Sequence, residues 1–526
     1  MKTRSASKKM PGSLVLGSST LSIEDVVSVA EGGRKVSLGP KAQRKIKTAH
    51  DFLIKKARSG ATFYGINTGF GLLSNVRIDD SDIERLQVHL IRSHAVGVGR
   101  YLDDAPVRAM LLLRAWNLCQ GHSGVALKTV ERLLEFLNFG IHPLVPEQGS
   151  VGASGDLAPL SHLALPLIGE GKVRVKGVEM AASAALRKFK LQPLRLGPKE
   201  GLALINGTQF MTAIGSLALA RAEHLCDAAD LIGAMSVEAM RGTVTAFEPE
   251  IHAVRPHPGQ IRTAANLRAV LSGQGKSEIA LSHEGCGKVQ DPYSLRCMPQ
   301  VHGASRDVLR FVREVLEREV NAVTDNPLLF PETGKILSGG NFHGQIVAIA
   351  MDALAIAMAE IASISEQRIE KLINPALSDL PAFLVKQGGL NSGFMIIQVA
   401  AASIVSENKT LCHPASVDSI PTSADKEDHV SMGAWAARKA ELVIRNSARV
   451  LAMELLSAAQ GIDLLRPLRS TKSLEQLHSL VRRHAKYAEE DRSFHEDLIQ
   501  LETLLGSTEF RSVARGAFST RKRSAS

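Results

Sequence analysis

From Gln345 to Ile373 the chain runs without a glycine or proline. Such a run is long, rich in good helix formers and free of breakers, so it reads as one continuous helix. Its apolar face is read as Ile346, Ile349, Ala353, Ile356 and Ala357. A helix of that length needs a large partner surface, and the chain of 526 residues, 44% apolar, can supply one. Other helix signals are frequent. Ser81-x-x-Glu84 has the form of a capping box opening a segment through Ile83, Leu86, Leu90 and Ile91. Pro106 suits the first turn of a helix that runs to about Cys119 and stops at Gly121. Leu474–Leu505 reads as further helix. Strand signals are few; Val173, Val175 and Val178 around Gly177 suggest a small hairpin over Lys172–Met180. The expected fold is therefore mainly α: a long central helical bundle with a loop-rich N-terminal part.

Two segments, Gly201–Ala220 and Gln387–Ser406, carry no charge. Each is interrupted by amides and hydroxyls, such as Asn206, Gln209, Asn391 and Gln398, which lipid does not satisfy. They are expected to be helices buried on all sides, within the core or between subunits. The formal charge is +10, but residues 1–10 hold four basic residues and no acid, and residues 511–526 hold five and no acid. A near-neutral body argues against a nucleic-acid groove. The expected organisation is a basic disordered tail over 1–12, one unit over 13–510 divided near residue 220, and a second basic disordered tail over 511–526. Five cysteines and the lack of an apolar stretch in the first ten residues suggest free thiols, no membrane and a cytoplasmic location.

The most informative stretch is Gly149–Leu160, where small residues surround Ser154. One reading is a tight turn before a helix, with Asp156 capping and Pro159 in the first turn. Another is covalent. The amide nitrogen of Gly155 can attack the carbonyl carbon of Ala153, and loss of two waters closes a five-membered ring bearing an exocyclic methylene. That chemistry needs a hydroxyl at 154 and no side chain at 155.

Ala153-Ser154-Gly155 inside GSVGASGDLAPLSH (149–162) resembles the active-site signature of the aromatic amino acid ammonia-lyases. The resemblance continues through YGINTGFG (64–71), INGTQ (205–209), QDPYSLRCMPQVHG (290–303), NAVTDNPL (321–328), GGNFHG (339–344), NSGFM (391–395) and SVDSIPTSADKEDHVSMG (416–433). It implies a 4-methylidene-imidazol-5-one (MIO) prosthetic group formed from Ala153, Ser154 and Gly155, with Asn206, Gln290 and Phe342 around it and no metal. It implies Tyr64 as catalytic base, Tyr293 beside the reacting atoms, Arg296 on the substrate carboxylate, and a homotetramer with shared active sites.

Substrate choice within the family rests on three positions. Ser93-His94 and Glu427 resemble the histidine-specific members, and Met395 matches a third pocket position. A carboxylate suits an imidazole, which has an N–H to donate. Ser423-Ala424-Asp425-Lys426 departs from many relatives, which resemble Ala-Asn-Gln before the glutamate. The expected reaction is L-histidine to trans-urocanate and ammonia, with a tyrosine ammonia-lyase or tyrosine 2,3-aminomutase as the alternative.

Overall fold

The computed structural model describes residues 12–58, 63–69, 73, 75–273, 275–287 and 289–519. Helix dominates. Seven helices carry the argument: Ile83–His94 (α1), Asp104–Cys119 (α2), Leu157–Ala164 (α3), Gln209–Ala239 (α4), Met298–Val320 (α5), Gln345–Ile373 (α6) and Gly433–Leu464 (α7). Among the described residues no sheet has more than three strands. Lys172–Val175 pairs with Val178–Ala181 in the expected hairpin, and Ile141–Pro143 adds a third strand. The mainly α expectation holds.

The chain forms two compact units. One comprises the described residues of 1–220, 314–352 and 414–438; the other those of 221–313, 353–413 and 439–526. Each unit is assembled from three stretches of chain.

In the first unit, α2 is buried around its whole circumference from Ala109 to Cys119, including Arg114 and Asn117. Pro106 sits in its first turn, where a missing N–H leaves no helical bond unmade. Residues 201–219 are likewise buried without a break, as expected of that uncharged segment.

In the second unit a polar network ties α4, α5, α6 and α7 together. Arg368 of α6 makes a bidentate pair with Glu454 of α7, Nε–Oε1 2.5 Å and Nη2–Oε2 2.8 Å, and both side chains have no exposure. Ser236 of α4 and Ser365 of α6 donate to the same carboxylate at 2.7 and 2.6 Å. His302 of α5 bonds Asp230 of α4 through Nδ1 at 2.8 Å, and Arg306 holds the other Asp230 oxygen. Burial lowers the pKa of His302, so it stays neutral and its Nε2 accepts from Arg368 Nη1 at 3.4 Å.

Several expectations need correction. Most of the α6 face read as core points outward: Ile346, Ile349 and Ile356 are 44–48% exposed and Ala353 is half-buried, only Ala357 being buried as read, while Val347, Met351, Leu354, Met358 and Ile361 are fully buried. The helix is apolar on both sides, so spacing alone could not say which faces in. Gln387–Ser406 is not enclosed within this chain: its helix, Met395–Leu411, buries Ile397 and Ala401 and exposes Ile396 and Val399. The Ser81 capping box does not form, because residues 80–82 make a 3-10 turn and α1 begins after Asp82, without a side-chain cap. Leu474–Leu505 is two helices, Lys472–His484 and His495–Leu505. Between them, Asp491 accepts from the amides of Ser392 and Gly393 at 2.7 and 2.8 Å. The second basic tail is partly structured: Thr508–Phe518 is a helix capped by Ser507, with Phe510, Ala514 and Ala517 buried at helical spacing. Residues 1–11 and 520–526, where the rest of the tail expectation falls, lie outside the described residues. All five cysteines are free.

Among the described residues one helix, α6, is long and apolar enough to cross a membrane, and 61% of its apolar window is buried in the protein.

Removing one partner of a buried ion pair strands the other charge and costs about 3–5 kcal/mol. Glu454→Ala should therefore lower unfolding free energy by about that amount in a denaturant titration. A loss below about 1 kcal/mol would mean that Arg368 finds water or another partner there.

Candidate active site

The Ser154 loop leaves the short strand Pro146–Gln148 and ends at α3. Its critical contact is backbone to backbone. Gly155 (φ +75°) lies against Gly207, and a Cβ on Gly155 would fall 2.2 Å from the Gly207 oxygen. Gly207 (φ +145°) is equally closed in: a Cβ there would meet Gln209 Oε1 at 2.5 Å and the Thr324 carbonyl at 2.8 Å. The Asp156 amide donates to the Gly207 carbonyl at 2.7 Å and completes the seam. No residue with a side chain fits at either position.

Asp156 was expected to cap the helix that follows it. It caps another. The amides of Phe210 and Met211, at the start of α4, both donate to its Oδ2 at 3.0 Å. Burial pushes this carboxyl up to about 7, against the pull of those two amides. Pro159 does occupy the first turn of α3.

Behind the seam lies Arg114, with no solvent exposure. It donates to the Asn206 carbonyl at 2.6 Å and to Asn117 Oδ1 at 2.8 Å. Burial brings its pKa down to about 10, while the charges of Asp325 and Asp156 favour the cation. Asp325 also pairs with the fully buried Lys199 at 2.5 Å. The Asn206 amide donates to the Asn326 carbonyl at 3.2 Å. Its Oδ1 is buried and has no hydrogen-bond partner. NAVTDNPL thus acts as a bracket: Thr324, Asp325 and Asn326 hold Gln209, Lys199 and Asn206 in turn.

The 416–433 segment closes over the Ser154 loop. The Met432 amide donates to the Val151 carbonyl at 2.9 Å, and Ser431 Oγ to that of Gly152 at 3.3 Å. Ser154 Oγ then donates to Glu427 Oε1 at 3.1 Å. The other carboxylate oxygen, Oε2, accepts from Thr422 Oγ1 and Ser423 Oγ, each at 2.8 Å. Glu427 lies in this loop; the helix, α7, begins only at Gly433. His343 of GGNFHG stacks on His429, ring centroids 5.9 Å apart, and joins that loop to the same group.

His94 is the last residue of α1. Its Nδ1 bonds the Leu90 carbonyl at 2.9 Å, which places the proton there and leaves Nε2 an acceptor. Burial lowers its pKa and keeps the ring neutral, partly opposed by the Leu90 carbonyl and the charge of Glu427.

The first unit therefore brings together Ala153, Ser154, Gly155, Asn206 and Glu427 by direct bonds or through Gly207, with His94 in the field of Glu427. Tyr64 and Phe342 belong to the same unit and are half-buried. The end of the Tyr64 motif, Phe70-Gly71, lies outside the described residues. Gln290, Tyr293, Arg296 and Met395 belong to the second unit. Gln290 is exposed and Tyr293 is 69% exposed. Arg296 stacks over the Tyr293 ring at 4.4 Å and donates Nε–H to the Asp291 carbonyl at 3.1 Å. The sequence reading passed over Arg114 and Thr422 and gave Ser423 no role beyond its place in a departing segment. An arginine inside an otherwise apolar helical stretch was a usable signal for Arg114; for the two hydroxyls there was none beyond their nearness to Glu427.

A sequence profile described as aromatic amino acid lyase matches residues 21–483. The chain is 53% identical over 501 residues to a histidine ammonia-lyase of Anaeromyxobacter sp. (strain K), covering 94% of this chain and 98% of that one. Its fold is similar to the crystal structure of histidine ammonia-lyase from Trypanosoma cruzi, with TM-score 0.89 and 47% identity over 96% of this chain and 95% of that one. It is also similar to the tyrosine aminomutase of Streptomyces globisporus, with TM-score 0.91 and 38% identity over 96% and 99% of the two chains. With the profile covering most of its length and relatives above half identity, the chain belongs to the aromatic amino acid lyase family.

Proposed function

We propose that the protein is a carbon–nitrogen lyase that converts L-histidine to trans-urocanate and ammonia without oxidation, the first step of histidine degradation. The observation that carries this reading is Glu427, whose Oε1 meets Ser154 Oγ at 3.1 Å while His94 nearby offers a neutral acceptor nitrogen. Acceptors of this kind suit the N–H of an imidazole. Opposite a phenyl ring Oε1 of the same carboxylate would face an apolar group with no donor to meet it. Relatives at about half identity over nearly the whole chain bear the histidine ammonia-lyase name. The alternative, a tyrosine ammonia-lyase or tyrosine 2,3-aminomutase, has weaker support, in a fold relative at 38% identity.

The loop fits an MIO group built from Ala153, Ser154 and Gly155. Gly155 has no side chain and no room for one beside Gly207, Ser154 carries a hydroxyl to lose, and the Oδ1 of Asn206 is buried without a partner. Once formed, the group supplies an electrophilic alkene that no ordinary side chain provides. Asn206 and Gln290 would hold it through amide hydrogen bonds, and Phe342 would pack beside it.

Every other role falls to side chains. Arg296 grips the substrate carboxylate through two parallel N–H bonds, the geometry for which a guanidinium is suited. Tyr293, stacked against it, flanks the reacting atoms. Tyr64 takes the proton from the β-carbon; a phenol with a pKa of about 10 needs its surroundings to make it a base. Glu427 and His94 hold the ring, with Met395 lining the pocket. Loss of the Ser154 hydroxyl as water leaves Oε1 of Glu427 without that donor, so the oxygen that held the precursor becomes the one offered to substrate.

We further propose a cytoplasmic homotetramer whose active sites draw on several copies. The exposure of Tyr293 and Gln290 supports it, as do the apolar outer face of α6 and the exposed Ile396 and Val399. Large apolar surfaces of this kind mark interaction sites.

The intact mass of active protein is expected to fall two waters below that of the plain sequence. Ser154→Ala should fold, with urocanate formation near background; full turnover at the unaltered mass would overturn the assignment. Glu427→Gln should keep the mass deficit and lower kcat/KM for L-histidine by about 10- to 100-fold, the effect of weakening one charged hydrogen bond. Coumarate from tyrosine, with no urocanate from histidine, would favour the alternative.

A further inference from the structure

Between Thr422 and Glu427 the chain closes on itself. The Thr422 amide donates to the Glu427 carbonyl at 3.0 Å, the Glu427 amide returns a bond to Thr422 at 3.3 Å, and the Lys426 amide donates to the Ser423 carbonyl at 3.3 Å. To make this turn Ser423, Ala424 and Asp425 all take positive φ, at +50°, +52° and +61°. Each carries a Cβ, and the left-handed region is unfavourable for Ser423 and Ala424 and less so for Asp425. Strain of this kind persists only where surrounding bonds hold it, and it gathers at sites that must keep one geometry.

What the turn delivers is a division of labour on one carboxylate. Thr422 Oγ1 and Ser423 Oγ both reach Oε2 of Glu427 at 2.8 Å. Oε1 is left facing Ser154. A glutamate has three rotatable side-chain torsions, and without these donors its carboxylate could turn either oxygen, or neither, toward the site. Residues 423–426 are exposed, so the turn is not a piece of core whose shape packing dictates.

We infer that Thr422 and Ser423 are positioning residues for histidine deamination: the strained turn docks their hydroxyls on Oε2 of Glu427 and so fixes Oε1 as the oxygen that meets the imidazole. The inference rests on the reading of Glu427 as the substrate's acceptor.

The test is steady-state kinetics on L-histidine with the full-length protein, alongside intact mass and melting temperature. The double variant Thr422→Val, Ser423→Ala should lower kcat/KM by about tenfold, chiefly through KM, because two charge-assisted bonds are lost. Its two-water deficit and melting temperature should match the parent's. Thr422→Ser, which keeps the hydroxyl, should retain parental kinetics, as a merely steric role for the threonine would not require. Glu427→Gln is measured in parallel. If it leaves kcat/KM intact, the assignment of Glu427 itself fails. If it lowers kcat/KM while the double variant stays within twofold of the parent, the positioning role is overturned. Should the double variant not fold, Thr422→Val set against Thr422→Ser decides in the same way.

Discussion

The guanidinium of Arg114 has no access to water, and much of the first unit is arranged to make that tolerable. A buried charge costs several kcal/mol unless its donors are met. Arg114 meets two of its three nitrogens, Nη1 with the Asn206 carbonyl and Nη2 with Asn117 Oδ1, in the field of Asp325 and Asp156, and leaves Nε without a partner. Satisfying the charge therefore fixes where the Asn206-Gly207 backbone runs. That backbone is the surface against which Gly155 is pressed. A buried charge behind the seam thus sets the shape of the Ser154 loop.

The same logic governs the second unit. Arg368, Glu454, His302 and Asp230 form a connected network inside four helices whose packing faces are otherwise aliphatic and small. Apolar side chains tolerate a shift of one helix along another. A bidentate ion pair with two serine donors does not. The network is costly to bury but selective about register.

Long uninterrupted helices were legible in the sequence because breakers are local: α6 runs from Gln345 to Ile373 as read, and Pro106 marks the start of α2. Which side of a helix faces inward was not legible where both sides are apolar, as Ile346 and Ile349 demonstrate. Charge misled at the C-terminal end, where Phe510, Ala514 and Ala517 outweigh the arginines. Asp156 was recognised as a cap, but the helix it caps lies over fifty residues away. At the site, the Ser154 triplet and Glu427 stood out because their residue types are chemically demanding. Thr422 and Ser423 did not, since only the fold reveals that both hydroxyls converge on one oxygen.

The seam between Gly155 and Gly207 has a consequence for heritable variation. Every glycine codon that changes by one base to another amino acid gives a residue with a β-carbon. Neither position has room for one. Gly155 supplies an atom to the proposed ring closure; Gly207 supplies none and is confined just as tightly. A lineage carrying this loop can thus drift at many surface sites while this pair, distant in the gene, stays locked together, and neither member can be altered as a first step toward a different chemistry.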